Sequence, residues 1–373
     1  MLHVVSHFPP DRVGGVGEVA AHVHRALLER GHESSVLTTG RTVSDPRVRR
    51  AAPSTGAGFA SASAAYGDWA SSFDIVHFHH GEALPLLLKL RRRDPKILVT
   101  LHVDNRSLLR STRPRAVDGQ RVGSWRTAMH KGLVLGTAKV AFDAIARRVA
   151  DRVTFISRFG ATEVTGSAAD CEIIRNGIVV PDSEPPDPSR RSRSLLYVGT
   201  TGPSKRTALL PRLMHLVRAT VPDARVVVAG FDPADQPEML AEISALGLDD
   251  AFEFVGVLRS EELGPLYRSA GALVVPSSYE GIPMVVLEAM SHGTPVVATR
   301  AGGISEAVTD GVHGRLVDVD DLDALAGACA DLLRRPHLGA SLGRAGRERV
   351  AAEFDVERQV DGYLDVYRSM VTA

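Results

Sequence analysis

The chain has 373 residues, 44% of them hydrophobic and 24% charged, with a formal net charge of zero. A chain of this length outgrows a single hydrophobic core, so two domains are expected, and the composition is that of a globular protein rather than a disordered one. The neutral total hides an asymmetry, because Lys and Arg outnumber Asp and Glu 25 to 16 in residues 1–180 and are outnumbered 19 to 28 in residues 181–373.

In chain order, residues 2–6 read as a strand, 17–29 as a helix stopped by Gly31, and 35–37 as a second strand. Residues 41–72, rich in Ala, Ser and Gly, read as a loop with little structure. Strands are expected again at 74–79, 97–102 and 153–156. Pro185, Pro186 and Pro188 mark residues 181–194 as a linker. Beyond it, strands are expected at 195–198, 225–229, 253–255, 272–275 and 295–298, and a final helix at 356–369 carries Tyr363 and Tyr367 one turn apart. This alternation of strand and helix implies parallel sheets with crossover helices: an α/β chain of two doubly wound, Rossmann-like domains, 1–180 and 181–355, followed by the helical segment 356–373.

No apolar run approaches the roughly 20 residues of a membrane span, and the opening residues read as strand rather than leader, so a cytoplasmic location is expected. Cys171 and Cys329 are too few for a disulfide framework, lack metal-ligand spacing, and are expected as buried thiols. Residues 106–152 hold eleven Lys or Arg against three acids. They form either a solvated face or a landing surface for an anionic acceptor or a peripheral contact with anionic lipid. Without a recognition motif, nucleic acid is not an expected partner.

The chemistry concentrates in residues 276–290, Pro-Ser-Ser-Tyr-Glu-Gly-Ile-Pro-Met-Val-Val-Leu-Glu-Ala-Met. An apolar, β-branched run precedes Glu280, and an apolar run of helical period contains Glu288. On one helix the two carboxylates would stand about 12 Å apart along the axis and about 80° apart around it, within reach of one elongated polar ligand. Glu280 would sit in the strand-to-helix turn, where the amides of Gly281, Ile282 and Met284 are expected as free donors at the positive end of the helix dipole. The plain alternative is a capping acid and a solvated surface acid.

Other candidates surround this pair. Gly14, Gly15 and Gly17 form a glycine loop between the first strand and helix, where a backbone can approach phosphate closely. A nicotinamide dinucleotide fold would also use such a loop, but it wants an acid at the end of the second strand, where Thr38 and Thr39 stand. Lys205 and Arg206 follow the strand at 195–198 and enter a helix, where a cation can neutralise a diphosphate leaving group. His102 ends the strand at 97–102, on the ligand side of a parallel sheet. His77, His79 and His80 cluster at another strand end without the carboxylates of a metal site, and are expected in acceptor contact or in structure. In the acidic run 318–323, Asp320 or Asp321 is expected to cap the following helix.

With the downstream Gly293-Thr-Pro-Val-Val-Ala-Thr299, Gly302-Gly303-Ile-Ser-Glu306 and Gly311-Val-His-Gly314, the 276–290 segment resembles the donor-sugar site of the retaining family-4 glycosyltransferases, which have the GT-B fold of two Rossmann-like domains facing each other across a cleft. The resemblance spans nearly all of residues 1–370. It implies a metal-independent retaining transferase, without a cofactor, that moves a hexose-type sugar from a nucleoside diphosphate sugar to an unidentified acceptor. By that resemblance Glu288 holds the ribose hydroxyls and Glu280 a sugar hydroxyl. The amides of Gly281, Ile282 and Met284 hold the sugar, His102 lies against it, Lys205 and Arg206 meet the diphosphate, and Gly14 and Gly15 lie opposite it. The final helix is expected to cross back onto the first domain. The chain departs from the family at Thr200, where an Arg is usual, and at Pro283, which offers no N–H. The alternatives are a nucleotide-sugar epimerase, for which no acid/base pair is identifiable, and a catalytically weak nucleotide-sugar-binding protein, suggested by Thr200.

Overall fold

The computed structural model describes residues 1–5, 8, 15–39, 45–51, 66–79, 83–102, 115–117, 120–122, 140–141, 143–187 and 191–372. They divide into two compact units. One draws on Met1–Arg106, His130–Gly177 and Val356–Ala373, the other on Ser107–Met129 and Ile178–Asp355. Gly14, His80, residues 52–65 and most of the basic stretch 106–152 lie outside the described residues.

The first unit is a parallel sheet. β1 (Leu2–Val5) pairs with β2 (Ser35–Thr38) on one side and β4 (Ile75–His79) on the other. β3 (Val48–Arg50) lies beyond β2, and β5 (Lys96–Leu101) beyond β4. After a separate antiparallel ribbon, β6 (Arg115–Val117) with β7 (Gln120–Val122), the sheet is completed by β8 (Arg152–Phe155) and β9 (Glu172–Ile173) in the order β3-β2-β1-β4-β5-β8-β9. α1 (Gly15–Glu29) buries Val19, Val23 and Leu27 on one stripe and stops at Gly31, whose φ of 80° admits the turn that bonds His32 N to Leu27 O at 2.9 Å. α2 (Leu84–Leu90) and α3 (Arg158–Thr165) follow β4 and β8. The last helix, Val356–Thr372, packs Val360, Tyr363, Leu364 and Tyr367 against Val23, Ala26 and Leu27 of α1.

The expectation of an unstructured 41–72 is corrected here. Val48 is buried beside β2, Ala51 N bonds Thr38 O at 2.7 Å, and residues 66–70 are helical with Tyr66 Oη donating to Arg50 O at 2.7 Å. A three-residue edge strand carries too few alternating positions to stand out in a segment rich in small residues.

The second unit is also parallel, in the order β12-β11-β10-β13-β14-β15, built from β10 (Ser194–Val198), β11 (Arg225–Ala229), β12 (Phe252–Gly256), β13 (Ala272–Val275), β14 (Val296–Thr299) and β15 (Gly314–Val317). Its helices include α4 (Leu210–Arg218), α5 (Pro237–Ala245), α6 (Ser260–Ser269), α7 (Met284–Ser291), α8 (Ile304–Ala307), α9 (Leu322–Arg334) and α10 (Pro336–Glu353). From β10 the chain winds outward to β12, then returns to lay β13 on the other side of β10. The gap between their carboxyl ends is the switch point at which open parallel sheets bind ligands. The stretch read as a linker is tied down: Arg191 Nη1 donates to Ala270 O at 2.9 Å and Nη2 to Gly293 O at 2.8 Å, and burial lowers the guanidinium pKa to about 10.

Candidate functional site

At the switch point of the second unit, two loops meet. The segment after β10 makes a short 3-10 turn, Pro203–Lys205, and the segment after β13 runs through Ser277 and Glu280 into α7. Ser278 N bonds Ser204 O at 2.7 Å, which locks one loop to the other. Lys205 Nζ then donates to Glu280 Oε1 at 2.7 Å, and Ser277 Oγ donates to the same oxygen at 2.7 Å. Glu280 is only 7% exposed, so its charge depends on these two donors. Gly303 N donates to the Glu280 carbonyl at 3.1 Å, and a Cβ on Gly302 or Gly303 would collide with the carbonyl oxygens of Glu280 and Gly281. The Gly302-Gly303 pair is therefore required by close backbone approach to the turn that aims Glu280. An ammonium and a carboxylate side by side suit a ligand that brings both a phosphate oxygen and a hydroxyl.

Two expectations about this turn are corrected. α7 begins at Met284, with Pro283 as the residue before it, so Glu280 stands outside the helix and helical spacing does not relate it to Glu288. Of the amides of Gly281, Ile282 and Met284, only that of Met284 belongs to the helix. Lys205 likewise does not enter a helix directly: Arg206 adopts a left-handed φ of 54°, a second 3-10 turn covers Thr207–Leu209, and α4 starts only at Leu210.

Glu288 sits in the second turn of α7, where Tyr267 Oη of α6 donates to its Oε2 at 2.6 Å. Tyr267 is 1% exposed; burial first and the Glu288 charge second hold its hydroxyl pKa well above the usual tyrosine range. Arg206 is buried and turned toward Asp320, with Nη2 at 2.8 Å from Oδ1. These two are the only described non-glycine residues with positive φ, Asp320 at 81°. Asp321 caps α9, accepting from Ala324 N at 2.9 Å. Thr200 is exposed, and its carbonyl accepts from Tyr197 Oη at 3.1 Å.

In the first unit, Gly15 is the exposed first residue of α1. His102 lies just past β5, 4% exposed, with Nε2 at 3.3 Å from His79 Nδ1. His77 and His79 are 0% and 2% exposed, which places them in structure rather than at an acceptor-facing surface. His77 shares Nδ1 with Tyr367 Oη at 2.8 Å and Nε2 with Thr100 Oγ1 at 2.7 Å. Thr100 Oγ1 continues to Thr154 Oγ1 at 2.7 Å. Burial first and the neighbouring histidines second press the His77 pKa well below the usual imidazole range. Ring nitrogens of His3, His77 and His79 lie within 4.8 Å of one another, a spacing open to a metal ion, but both nitrogens of His77 are committed to hydroxyls. Of the two cysteines, Cys329 is fully buried and burial pushes its thiol pKa up, whereas Cys171 is only half-buried.

Ser277 and Tyr267 escaped the sequence reading, and Asp320 was expected only as a possible helix cap, not as the partner of Arg206. Ser277 had a local signal, the Ser-x-x-Glu spacing that often marks reciprocal side-chain bonding. Tyr267 and Asp320 had none, because their partners lie 21 residues away and across the sheet.

Comparison with known proteins gives two family matches, "Glycosyltransferase Family 4" over residues 13–180 and "Glycosyl transferases group 1" over residues 192–335. The D-inositol 3-phosphate glycosyltransferase of Frankia alni is 31% identical over 313 residues, 79% of this chain and 74% of that protein. The enzyme of that name from Saccharomonospora viridis is 36% identical over 187 residues, so that the match spans 48% of this chain and 43% of the relative's length. Among solved structures, sucrose-phosphate synthase of Thermosynechococcus elongatus superposes with a TM-score of 0.82 at 22% identity, covering 100% of this chain and 98% of that one. HepE of Anabaena in complex with UDP-glucose does so at 0.77 and 18%, covering 99% of each. At these identities the structural likeness shows the shared fold.

Proposed function

Since the chain belongs to glycosyltransferase family 4, we propose that it transfers a hexose-type sugar from a nucleoside diphosphate sugar to an acceptor hydroxyl, with retention at the anomeric carbon and without a metal ion. The observation that carries this reading is the Lys205–Glu280 pair at the switch point of the second unit, with Glu288 of α7 held by Tyr267. Lys205 would neutralise the departing diphosphate, aided by the positive end of α7. Glu280 would take a sugar hydroxyl and Glu288 the ribose hydroxyls, with the amides of Gly281, Ile282 and Met284 completing the sugar contacts. His102 would meet the sugar and Gly15 the diphosphate. Arg206 would serve the site indirectly, since Asp320 already claims its guanidinium. No described side chain stands out as a nucleophile, so front-face attack is favoured, with a donor phosphate oxygen taking the acceptor proton. The uridine nucleotide in the HepE complex makes UDP the first probe. An anionic acceptor is supported by the cationic excess of residues 1–180 and by the phosphorylated inositol in the relatives' names.

Calorimetry with UDP and turnover with UDP-glucose test the reading. Glu288→Ala should weaken UDP binding by about 1–3 kcal/mol, the cost of a lost charge-assisted partner. Glu280→Ala should bind UDP normally while losing turnover. Unchanged UDP affinity in Glu288→Ala removes the ribose role. Incubation with donor alone separates the classes: slow release of free sugar marks a transferase, an isomerised donor an epimerase, and tight binding without turnover a binding protein, the reading that the uncharged Thr200 supports.

A further inference from the structure

Glu280 takes both of its side-chain donors on one oxygen: Lys205 Nζ and Ser277 Oγ each stand 2.7 Å from Oε1. Oε2 accepts from no described residue, and it is not among the side-chain atoms sealed from solvent. The carboxylate is held at one oxygen and open at the other. Because a carboxylate only accepts and an ammonium only donates, the serine hydroxyl must point its single proton at Oε1. The two donors differ in what they fix. Lys205 reaches its oxygen along a flexible four-carbon stem and is 29% exposed, so it supplies charge without a set direction. Ser277 has one rotatable bond between backbone and oxygen and is 1% exposed. Its main chain is tied on both sides: Thr299 Oγ1 of β14 donates to the Ser277 carbonyl, and the next amide, Ser278 N, donates to Ser204 O at 2.7 Å. The hydroxyl therefore stands at a fixed point beyond β13, and the torsions of the longer Glu280 side chain adjust to it. The main chain of Glu280 is fixed in turn by Gly303 N, which donates to its carbonyl at 3.1 Å. With the backbone pinned at one end and Oε1 at the other, little freedom is left to Oε2.

We infer that Ser277 is a positioning residue that turns Glu280 so that Oε2 is the oxygen offered to the ligand, an acceptor aimed at a hydroxyl. An ammonium has three N–H donors, so Lys205 can turn part of its hydrogen bonding to a phosphate oxygen while the serine keeps the carboxylate in place. The consequence for ligand binding rests on the proposed contact between Glu280 and a sugar hydroxyl. The orientation itself does not.

The variants are Ser277→Ala and, should it fail to fold, Ser277→Cys, which keeps the volume with a weaker donor and should show a smaller loss of the same kind. A crystal structure of the variant beside the parent in the same crystal form reads the orientation without a ligand. The Glu280 carboxylate should lose its single direction; one that keeps both oxygens where the parent has them overturns the inference. Calorimetry with UDP and with UDP-glucose reads the consequence. Ser277→Ala should bind UDP as the parent does and UDP-glucose on the order of tenfold more weakly, the equivalent of one hydrogen bond. A serine that served only the stability of its loop would weaken both ligands alike, and that result refutes the inference. Because Ser277 acts through Glu280, the same substitution should add nothing in the Glu280→Ala background, and an undiminished loss there also refutes it. If Glu280→Ala weakens UDP-glucose binding and Ser277→Ala does not, the inference falls and the sugar role of Glu280 stands. If neither weakens it while the carboxylate does turn in the crystal, the orientation stands and the sugar role falls.

Discussion

The two units share a parallel, doubly wound plan but pack different chemistry against it. In the second unit Leu195, Tyr197, Val226, Val228, Val274 and Val297 meet Leu213, Met214, Val217 and Leu325 in one largely aliphatic cluster. In the first unit, Leu2, Val4, Val76, Phe78, Ile97 and Val99 line one face in the same manner. The residues between them, His3, His77, His79, Thr100 and Thr154, give the other face a buried polar layer that includes Tyr363 and Tyr367 of the last helix. An apolar core is held by area and packing, whatever the pH. A polar layer holds only while every donor finds its acceptor and every imidazole stays neutral. The site chemistry divides similarly: a half-buried lysine paired with a buried glutamate in the second unit, histidine ring nitrogens in the first.

The largest expected effect lies on the aliphatic side. Leu213→Ala should cost about 2–5 kcal/mol through the cavity it leaves. Urea denaturation should give the same loss at pH 7.5 and pH 5.5; a loss that grows in acid would erase the distinction between the two cores. Next, Lys205→Ala should reduce kcat by roughly 10²–10³-fold, as when a preorganised stabiliser of developing charge is removed. Its unfolding free energy should fall as well, by about 1–3 kcal/mol, because the buried Glu280 carboxylate loses one of its two donors. Turnover equal to the parent would mean that another cation meets the diphosphate.

Acid should strike the first unit harder than the second, where burial lowers the His292 pKa less far, to about 4. The folded pKa of His3, about 3, lies below its unfolded value near 6.5. Above pH 6.5 neither state binds the proton and the stability is intact. As pH falls from 6.5 toward 3 the unfolded chain takes up a proton that the folded chain refuses, and stability drops by about 1.4 kcal/mol per pH unit. His77, also shifted downward by burial, adds to the loss. Hydrogen exchange should show β1 and β4 losing more protection than β10 and β13 between pH 7 and pH 5; equal loss in both sheets would contradict the assignment. The smallest effect is expected for Tyr367→Phe, which deprives His77 Nδ1 of its partner and should cost about 1–3 kcal/mol, read as lost protection confined to the first unit.

Much of this was legible residue by residue. β11 and β13 run where hydrophobic runs placed them, Gly31 stops α1, and Asp321 caps α9, since each depends on a few neighbours in the chain. Glu280 and Lys205 were found because a strand end, a turn and a helix start leave a local signature. The pairing between them crosses 75 positions and was not readable. The polar layer was half legible. His77 and His79 alternate with Val76 and Phe78, which puts both on one face of a strand, and Tyr363 and Tyr367 share a helix face. What faced them was not, and the layer was first read as a cluster of separate histidines.

By itself, then, the sequence determined the periodicities, the breaks and the family: parallel strands, crossover helices, a carboxylate pair and a lysine in recognisable turns. Tertiary structure alone decided which side chains met. The register that sets His3 beside His77 lines the imidazoles of β1 and β4 on one face, and the approach of α6 to α7 puts Tyr267 on Glu288. The physical reason is range. Backbone conformation responds to residues within a turn or two, whereas a hydrogen bond between side chains far apart in sequence exists only after register and helix packing have brought its two atoms within about 3 Å.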